Sequence, residues 1–469
     1  MDELLKAYGR STSYPFHMPG HKRQTITAMN PYEIDITEID GFDNLHHATG
    51  VIAKLQQDWA DLYGCKRAFL LVNGTTCGNE AAIFAGTREG DTVIVGRGCH
   101  KSVYHAMALR HLNPEYIQPT LRDDGIPEPV TLSQVQEAIK EHPKATAIIL
   151  TSPTYEGLCA DIEGIAGVAH AAGMRFIVDA AHGAHFGLHP GYPKNPVSAG
   201  ADAVIVSLHK TLPTFTQTAC LLLPENSGIA PERIQKYLGY FESSSPSYIL
   251  MASAAAAHRY IKVHGKEAME EHLHRLGTLR EHCGNLKHLS VAIPSPWESG
   301  TTADPSKVII VGKDQLLSGE SIMTALREEA QLELEMATPT YALAMTSFMD
   351  TEEGYERLEN ALFLLDEKAD AWSSSLPIAK VRQLYEVRRE IGMPLSEATE
   401  ATTEKCPLKQ AAGHMAGGFI SLYPPGIPVY APGERLEEAG VEALEEAIDA
   451  GFAVDGVDDN KNIEIIIEA

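Results

Sequence analysis

Between Ala68 and Leu223 short apolar runs alternate with longer amphipathic stretches, and this alternation constrains the fold more than any other feature of the chain. The runs are Ala68–Val72, Thr92–Val95, Glu115–Gln118, Thr146–Leu150, Arg175–Val178, Ala203–Ser207 and Ala219–Leu223. Each has the length of a buried strand. The stretches between them carry helix punctuation: a Thr131…Gln134 capping box opens Thr131–His142, and Gly173 stops Asp161–Ala172. Apolar strands separated by helices predict an α/β fold, a seven-stranded and mostly parallel sheet with helices on both faces. In such sheets ligands bind at the carboxyl ends of the strands, so chemistry is sought in the residues just after each run.

Four strand ends carry signals. Asn73-Gly-Thr-Thr-Cys-Gly-Asn79 follows the first run and opens a helix; its small residues, two hydroxyls and helix N-terminus suit an anion such as a phosphate. Lys210, in Ser207-Leu-His-Lys210, ends a buried run, where desolvation lowers an amine's pKa and lets it attack carbonyls. Asp179 follows Phe176-Ile-Val178, an acid placed to keep a pyridinium nitrogen protonated. His100 follows Gly96-Arg-Gly-Cys99 and offers a ring to stack on a flat cofactor. Each has a plain alternative: a helix entry, a lysine reaching the surface, a helix-capping Asp, a surface His. Their coincidence on one rim of one sheet is what favours the chemical reading.

Beyond the sheet, Pro246–His264 reads as a long helix ending at Gly265. A second unit follows, with strands near Lys307–Val311 and Leu332–Glu335, a helix at Ser321–Gln331 and a charged helix over Glu352–Ala371. Ser373-Ser-Ser-Leu-Pro377 reads as a linker, Pro424-Pro-Gly-Ile-Pro428 and Ala431-Pro-Gly433 as rigid turns, and the acidic tail from Asp458 to Glu468 as an edge strand. The expected units are 1–60, an N-terminal arm; 61–290, the large ligand-binding domain; 291–375, a small α+β domain; and 376–469, a C-terminal domain.

Composition enters as an exclusion. With 63 acidic and 38 basic residues the formal net charge is −25, which argues against nucleic-acid binding by bulk charge. No apolar run approaches the length of a membrane span, and the start lacks the pattern of a secretory signal, so the expected location is cytoplasmic. The seven cysteines are dispersed and never spaced as Cys-x-x-Cys, so reduced thiols are expected.

The segments Phe16-His-Met-Pro-Gly-His-Lys22, Asn73-Gly-Thr-Thr-Cys-Gly-Asn79, Cys99-His-Lys-Ser102, Ser152-Pro-Thr-Tyr-Glu-Gly157, Val178-Asp-Ala-Ala-His-Gly-Ala-His185, Ser207-Leu-His-Lys210 and Tyr423-Pro-Pro-Gly-Ile-Pro428 resemble the Orn/Lys/Arg decarboxylase family in its short form. That family has the fold type I architecture of enzymes that use pyridoxal 5′-phosphate (PLP), like aspartate aminotransferase. The resemblance implies that Lys210 carries PLP as a Schiff base, Asp179 pairs with the pyridine nitrogen and His100 stacks on the ring. It places Thr75, Thr76, Ser207 and His209 around the phosphate and His182 near the ring edge. It also implies a homodimer or an assembly of dimers, with Ser243 in Glu242-Ser-Ser-Ser-Pro246 reaching a neighbour's phosphate. An acid often follows the Asp in this family, where Ala180 stands here.

The implied reaction is α-decarboxylation of arginine, lysine or ornithine to a polyamine-pathway amine and CO₂. A buried cationic side chain needs an acidic partner, and Glu434, Asp43 and Glu156 are the candidates, in that order. An aminotransferase or another lyase would share the same cofactor site. A zinc hydrolase, read from His182-x-x-His185-x-x-x-His189, would need those histidines on a helix, whereas Gly183, Gly187, Pro190 and Gly191 predict a loop, so no metal is expected.

Overall fold

Each of the seven predicted runs forms a strand of a single sheet: β1 Arg67–Leu71, β2 Thr92–Gly96, β3 Asn113–Ile117, β4 Ala147–Thr151, β5 Arg175–Asp179, β6 Ala203–Val206 and β7 Ala219–Leu223. Their order is β1-β7-β6-β5-β4-β2-β3, and only β7 runs against its two neighbours. The computed structural model describes residues 1–122, 124–293, 301–313, 317–368, 384–385, 389–423, 426–449 and 452–467. The linker expected at Ser373–Pro377 and the first two prolines of the Pro424–Pro428 turn lie outside them.

The pleat explains why the inner strands are mostly apolar, whereas the edge strand β3, Asn113-Pro-Glu-Tyr-Ile117, is partly exposed. Leu70, Ile94, Phe176 and Val178 point into one core, while Phe69, Leu71, Val93 and Ile177 point into a second core on the opposite face. β3 begins two residues earlier than predicted, at Asn113. Pro114 is tolerated there because β3 is an edge strand, where a missing N–H need not break a ladder. The capping box forms as expected, with Thr131 and Gln134 bonding reciprocally.

The long helix does not end at Gly265. It runs from Tyr248 to His282. An interior glycine costs only about 1 kcal/mol relative to alanine, which is no stop signal when the following turns have a core to cover. Leu276 and Leu279 bury against the second unit and carry the helix onward.

That unit is a four-stranded antiparallel sheet of β8 Leu289–Ala292, β9 Lys307–Gly312, β10 Met336–Ala337 and β11 Tyr341–Met345, ordered β8-β9-β11-β10. The strand expected near Leu332–Glu335 leaves this sheet: Leu332–Leu334 pairs in parallel with Tyr14–Phe16 and ties the N-terminal segment to the unit. Further on, Thr403–Pro407 pairs with Asn462–Ile466, so that part of the acidic tail is a strand at a sheet edge, while Glu468 lies outside the described residues. All seven cysteines are free thiols. Among the described residues no helix is long and apolar enough to cross a membrane.

Candidate active site

The carboxyl ends of β1, β2, β4, β5 and β6 open into one cavity of about 580 Å³. After β1 the chain turns at Gly74, with φ of +70°, into helix α1 (Gly74–Gly86). Asn73 makes no side-chain cap, the Gly74 N–H donates to the Gln217 carbonyl at 2.9 Å, and Gly74, Thr75 and Thr76 of the first turn line the cavity. Ser207, at the end of β6, donates to Thr75 Oγ1 at 3.4 Å, so hydroxyls from two strand ends meet at this helix start. His209 lines the same end, and burial pushes its pKa down to about 4, which keeps it neutral. The donor set is that of an anion cradle.

Asp179 closes β5 and is 2 % exposed. Its carboxylate accepts from Asn79 Nδ2 at 2.8 Å and from the Ala181 N–H at 3.1 Å. Asn79 lies one turn along α1 from Thr75 and also bonds Ser102, so the helix that forms the cradle also orients the acid. His100 caps helix α2 (Lys101–Leu109): its Nδ1 accepts the Ser102 N–H at 3.2 Å, and its ring forms part of the cavity wall.

Lys210 reaches the cavity floor, where burial lowers the pKa of its amine against the opposing charges of Asp179 and Glu335. Its Nζ lies 3.0 Å from His182 Nε2. The other nitrogen of His182 lies 2.9 Å from Nζ of Lys307, and the Tyr155 ring packs on the imidazole with centroids 4.4 Å apart. His182, His185 and His189 lie in a loop and take separate partners; His185 bonds Asp304 at 3.0 Å, and His189 accepts the Gly191 N–H.

The three acids proposed for a substrate cation are dispersed. Glu434 does not line the cavity: it is 2 % exposed, receives both terminal nitrogens of Arg97, and accepts the Ala431 N–H at 2.8 Å. An isolated buried guanidinium would be costly, and the carboxylate nearest to it is consumed in neutralising it. Asp43 also stands outside the cavity, its oxygens accepting the N–H groups of Asn44, Thr49, Gly50, Ile52 and Ala53 at the start of helix Val51–Tyr63. Glu156 alone of the three lines the cavity, buried, with a hydrogen bond from the Tyr341 hydroxyl. Burial raises its carboxyl pKa. Ser243 is exposed outside the cavity of its own chain, its hydroxyl accepting the Ser245 N–H and its carbonyl bonded to His46.

The model of the Orn/Lys/Arg decarboxylase major domain matches residues 1–307, and that of the C-terminal domain of the same family matches residues 380–447. The chain belongs to the Orn/Lys/Arg decarboxylase family. An uncharacterized Bacillus subtilis protein, YaaO, is 33 % identical over 465 residues, covering 97 % of this chain and 95 % of that one. A Bacillus subtilis arginine decarboxylase is 29 % identical over 469 residues, again with 97 % and 95 % coverage. In three dimensions the chain resembles a Francisella novicida lysine decarboxylase with a TM-score of 0.81 and 19 % identity, covering 99 % of this chain and 80 % of that one. The architecture is that of the fold type I enzymes.

Within this family frame, Lys307, Glu335 and the orienting role of Asn79 escape a sequence reading. Lys307 opens an apolar run, the same signal that singles out Lys210 from the other end of a strand. What the sequence lacks is the long-range packing that brings β9 to the rim of the large sheet.

Proposed function

We propose that this protein is a PLP-dependent α-decarboxylase of a basic amino acid, with arginine ahead of lysine. The observation that carries the reading is the convergence of an anion cradle, a buried acid and a desolvated lysine on one cavity. The residues fit the cofactor: the cradle lacks a side-chain cap, and Thr151 Oγ1 on the cavity wall is buried without a partner. Lys210 would hold PLP through its amine, Thr75, Thr76, Ser207 and His209 its phosphate, Asp179 its ring nitrogen and His100 a ring face. When bound, PLP supplies an electron sink that weakens the bonds at Cα of an attached amino acid.

The chain's own residues would select the bond that breaks. Asp179, fixed by Asn79 and Ala181, holds a proton at the ring nitrogen. Pro127, Pro129, Val130 and Ile427 give the cavity an apolar side that solvates a carboxylate poorly, which favours its loss as CO₂. Lys210 Nζ, 3.0 Å from His182 Nε2, would supply the proton that replaces the departing CO₂. Glu156 is the acid best placed for the distal cation of the substrate. Support for arginine comes from the arginine decarboxylases of Bacillus subtilis and Bacillus anthracis, 29 % and 30 % identical along nearly the whole chain.

Release of CO₂ from arginine, lysine, ornithine and neutral amino acids under identical conditions tests this reading. Arginine should lead, and borohydride reduction should fix the cofactor on the Lys210 peptide. Transfer of the amino group to a keto acid without CO₂ would replace decarboxylation by transamination. The exposed Ser243 further supports a site completed by a second copy of the chain. Mixing Lys210→Ala with Ser243→Trp should then restore part of the activity that each variant lacks, and a fully active monomer would refute a shared site.

A further inference from the structure

Lys307 is a buried charged group for which the chemistry above has no use, and it stands next to the site. It is the first residue of β9, in the second sheet, and is 1 % exposed. Space for it is built into the large domain: a Cβ on Gly157, where φ is +94°, would lie 2.6 Å from Lys307 Cγ. The absence of a side chain at that turn lets the lysine stem pass beneath it and bring Nζ to 2.9 Å from His182 Nδ1.

His182 is thus an imidazole between two amines. Burial, and then the charges of Lys210 and Lys307, push its pKa well below the ordinary histidine value, so the ring is neutral. A neutral imidazole has one N–H and one lone pair, and it cannot accept from both lysines. One flanking nitrogen must donate to the ring and the other must receive its proton.

Both amines face carboxylates, so the role of Lys210 decides which. Asp304, Glu335 and Glu156 face Lys307, while Asp179 and Glu335 face Lys210; His100, His209 and the Tyr155 ring complete the surroundings of the imidazole. Burial lowers Lys307 only to about 8, so it remains an ammonium at neutral pH. Lys210 is the nitrogen whose function requires a free lone pair.

We propose that Lys307 is a positioning residue: its ammonium donates to Nδ1 of His182, fixes the ring as the Nε2–H tautomer, and thereby aims a proton at Nζ of Lys210. This rests on the functional reading above. The cation one ring away also disfavours a proton on the Lys210 nitrogen, so Lys307 tunes the nitrogen's basicity without touching substrate.

The holoenzyme's visible absorbance, titrated against pH, reads the protonation of that nitrogen. Lys307→Met should raise the midpoint by about one pH unit, as loss of a partly screened neighbouring cation requires. Lys307→Arg, which keeps charge and donors, should titrate near the wild type. Coincidence of Lys307→Met with the wild type, or an equal shift in Lys307→Arg, would overturn the proposal. Independently of any Lys307 variant, proton–nitrogen correlation spectra of the labelled wild type, with His182 assigned by its loss in His182→Gln, should show Nε2 protonated and Nδ1 bare. A proton on Nδ1, or on both nitrogens, would also overturn it. A protein that binds no PLP at all would sink the functional reading instead, and the tautomer of His182 would still decide the role of Lys307.

Discussion

Arg97 and Glu434 show how one residue's partner decides whether it serves structure or substrate. The pair is almost wholly buried, and Arg97 also donates to the carbonyls of Pro428 and Val429. It pins the C-terminal segment to the loop after β2. Removing one member of a buried pair leaves the other unpaired, at a cost of roughly 3–5 kcal/mol. Glu434→Gln should therefore lower the thermal midpoint strongly while the KM for the amino acid changes little. A raised KM with an unchanged midpoint would return Glu434 to the substrate site.

At the scale of elements, the 35-residue helix α3 (Tyr248–His282) separates propensity from packing. Its two late glycines differ in surroundings. A Cβ at Gly277 would meet nothing within 4 Å, whereas at Gly265 it would lie 3.1 Å from Ile261 Cγ2. Gly277→Ala should stabilise by about 0.5–1 kcal/mol, the helix-interior penalty of glycine, and Gly265→Ala should gain less because Ile261 must yield. Equal gains measured by denaturant unfolding would mean that the contact at Gly265 carries no cost.

For the whole molecule, buried neutral histidines set the response to acid. Burial lowers His272 to about 3 and His209 to about 4, against about 6.5 for an unfolded histidine. Between those values the unfolded chain binds protons that the folded chain refuses, so stability falls as pH drops from 6.5 toward 4. The net charge of −25 acts in the opposite direction, since protonating surface carboxylates relieves self-repulsion. His272→Gln should thus flatten the decline in calorimetric midpoint between pH 7 and pH 4.5. An unaltered slope would show that His272 takes up its proton in the folded state.

The large sheet was legible in the sequence, because a strand buried on both faces must be apolar along most of its length, as the inner strands are, and such runs leave little freedom of assignment. The sequence also singled out Lys210 and Asp179 as candidates, since a charged group at the end of an apolar run is legible as an exception. The order β1-β7-β6-β5-β4-β2-β3, the passage of α3 through Gly265 and the pairing of Leu332–Leu334 with Tyr14–Phe16 came only with tertiary structure. So did the partners of the charges: Glu434 with Arg97, Asp43 with a helix start, Lys307 with His182. Local periodicity records whether a residue is buried, but an ion pair between positions 97 and 434, or a lysine delivered from a second sheet, depends on how distant elements dock, and one-dimensional spacing holds no trace of it.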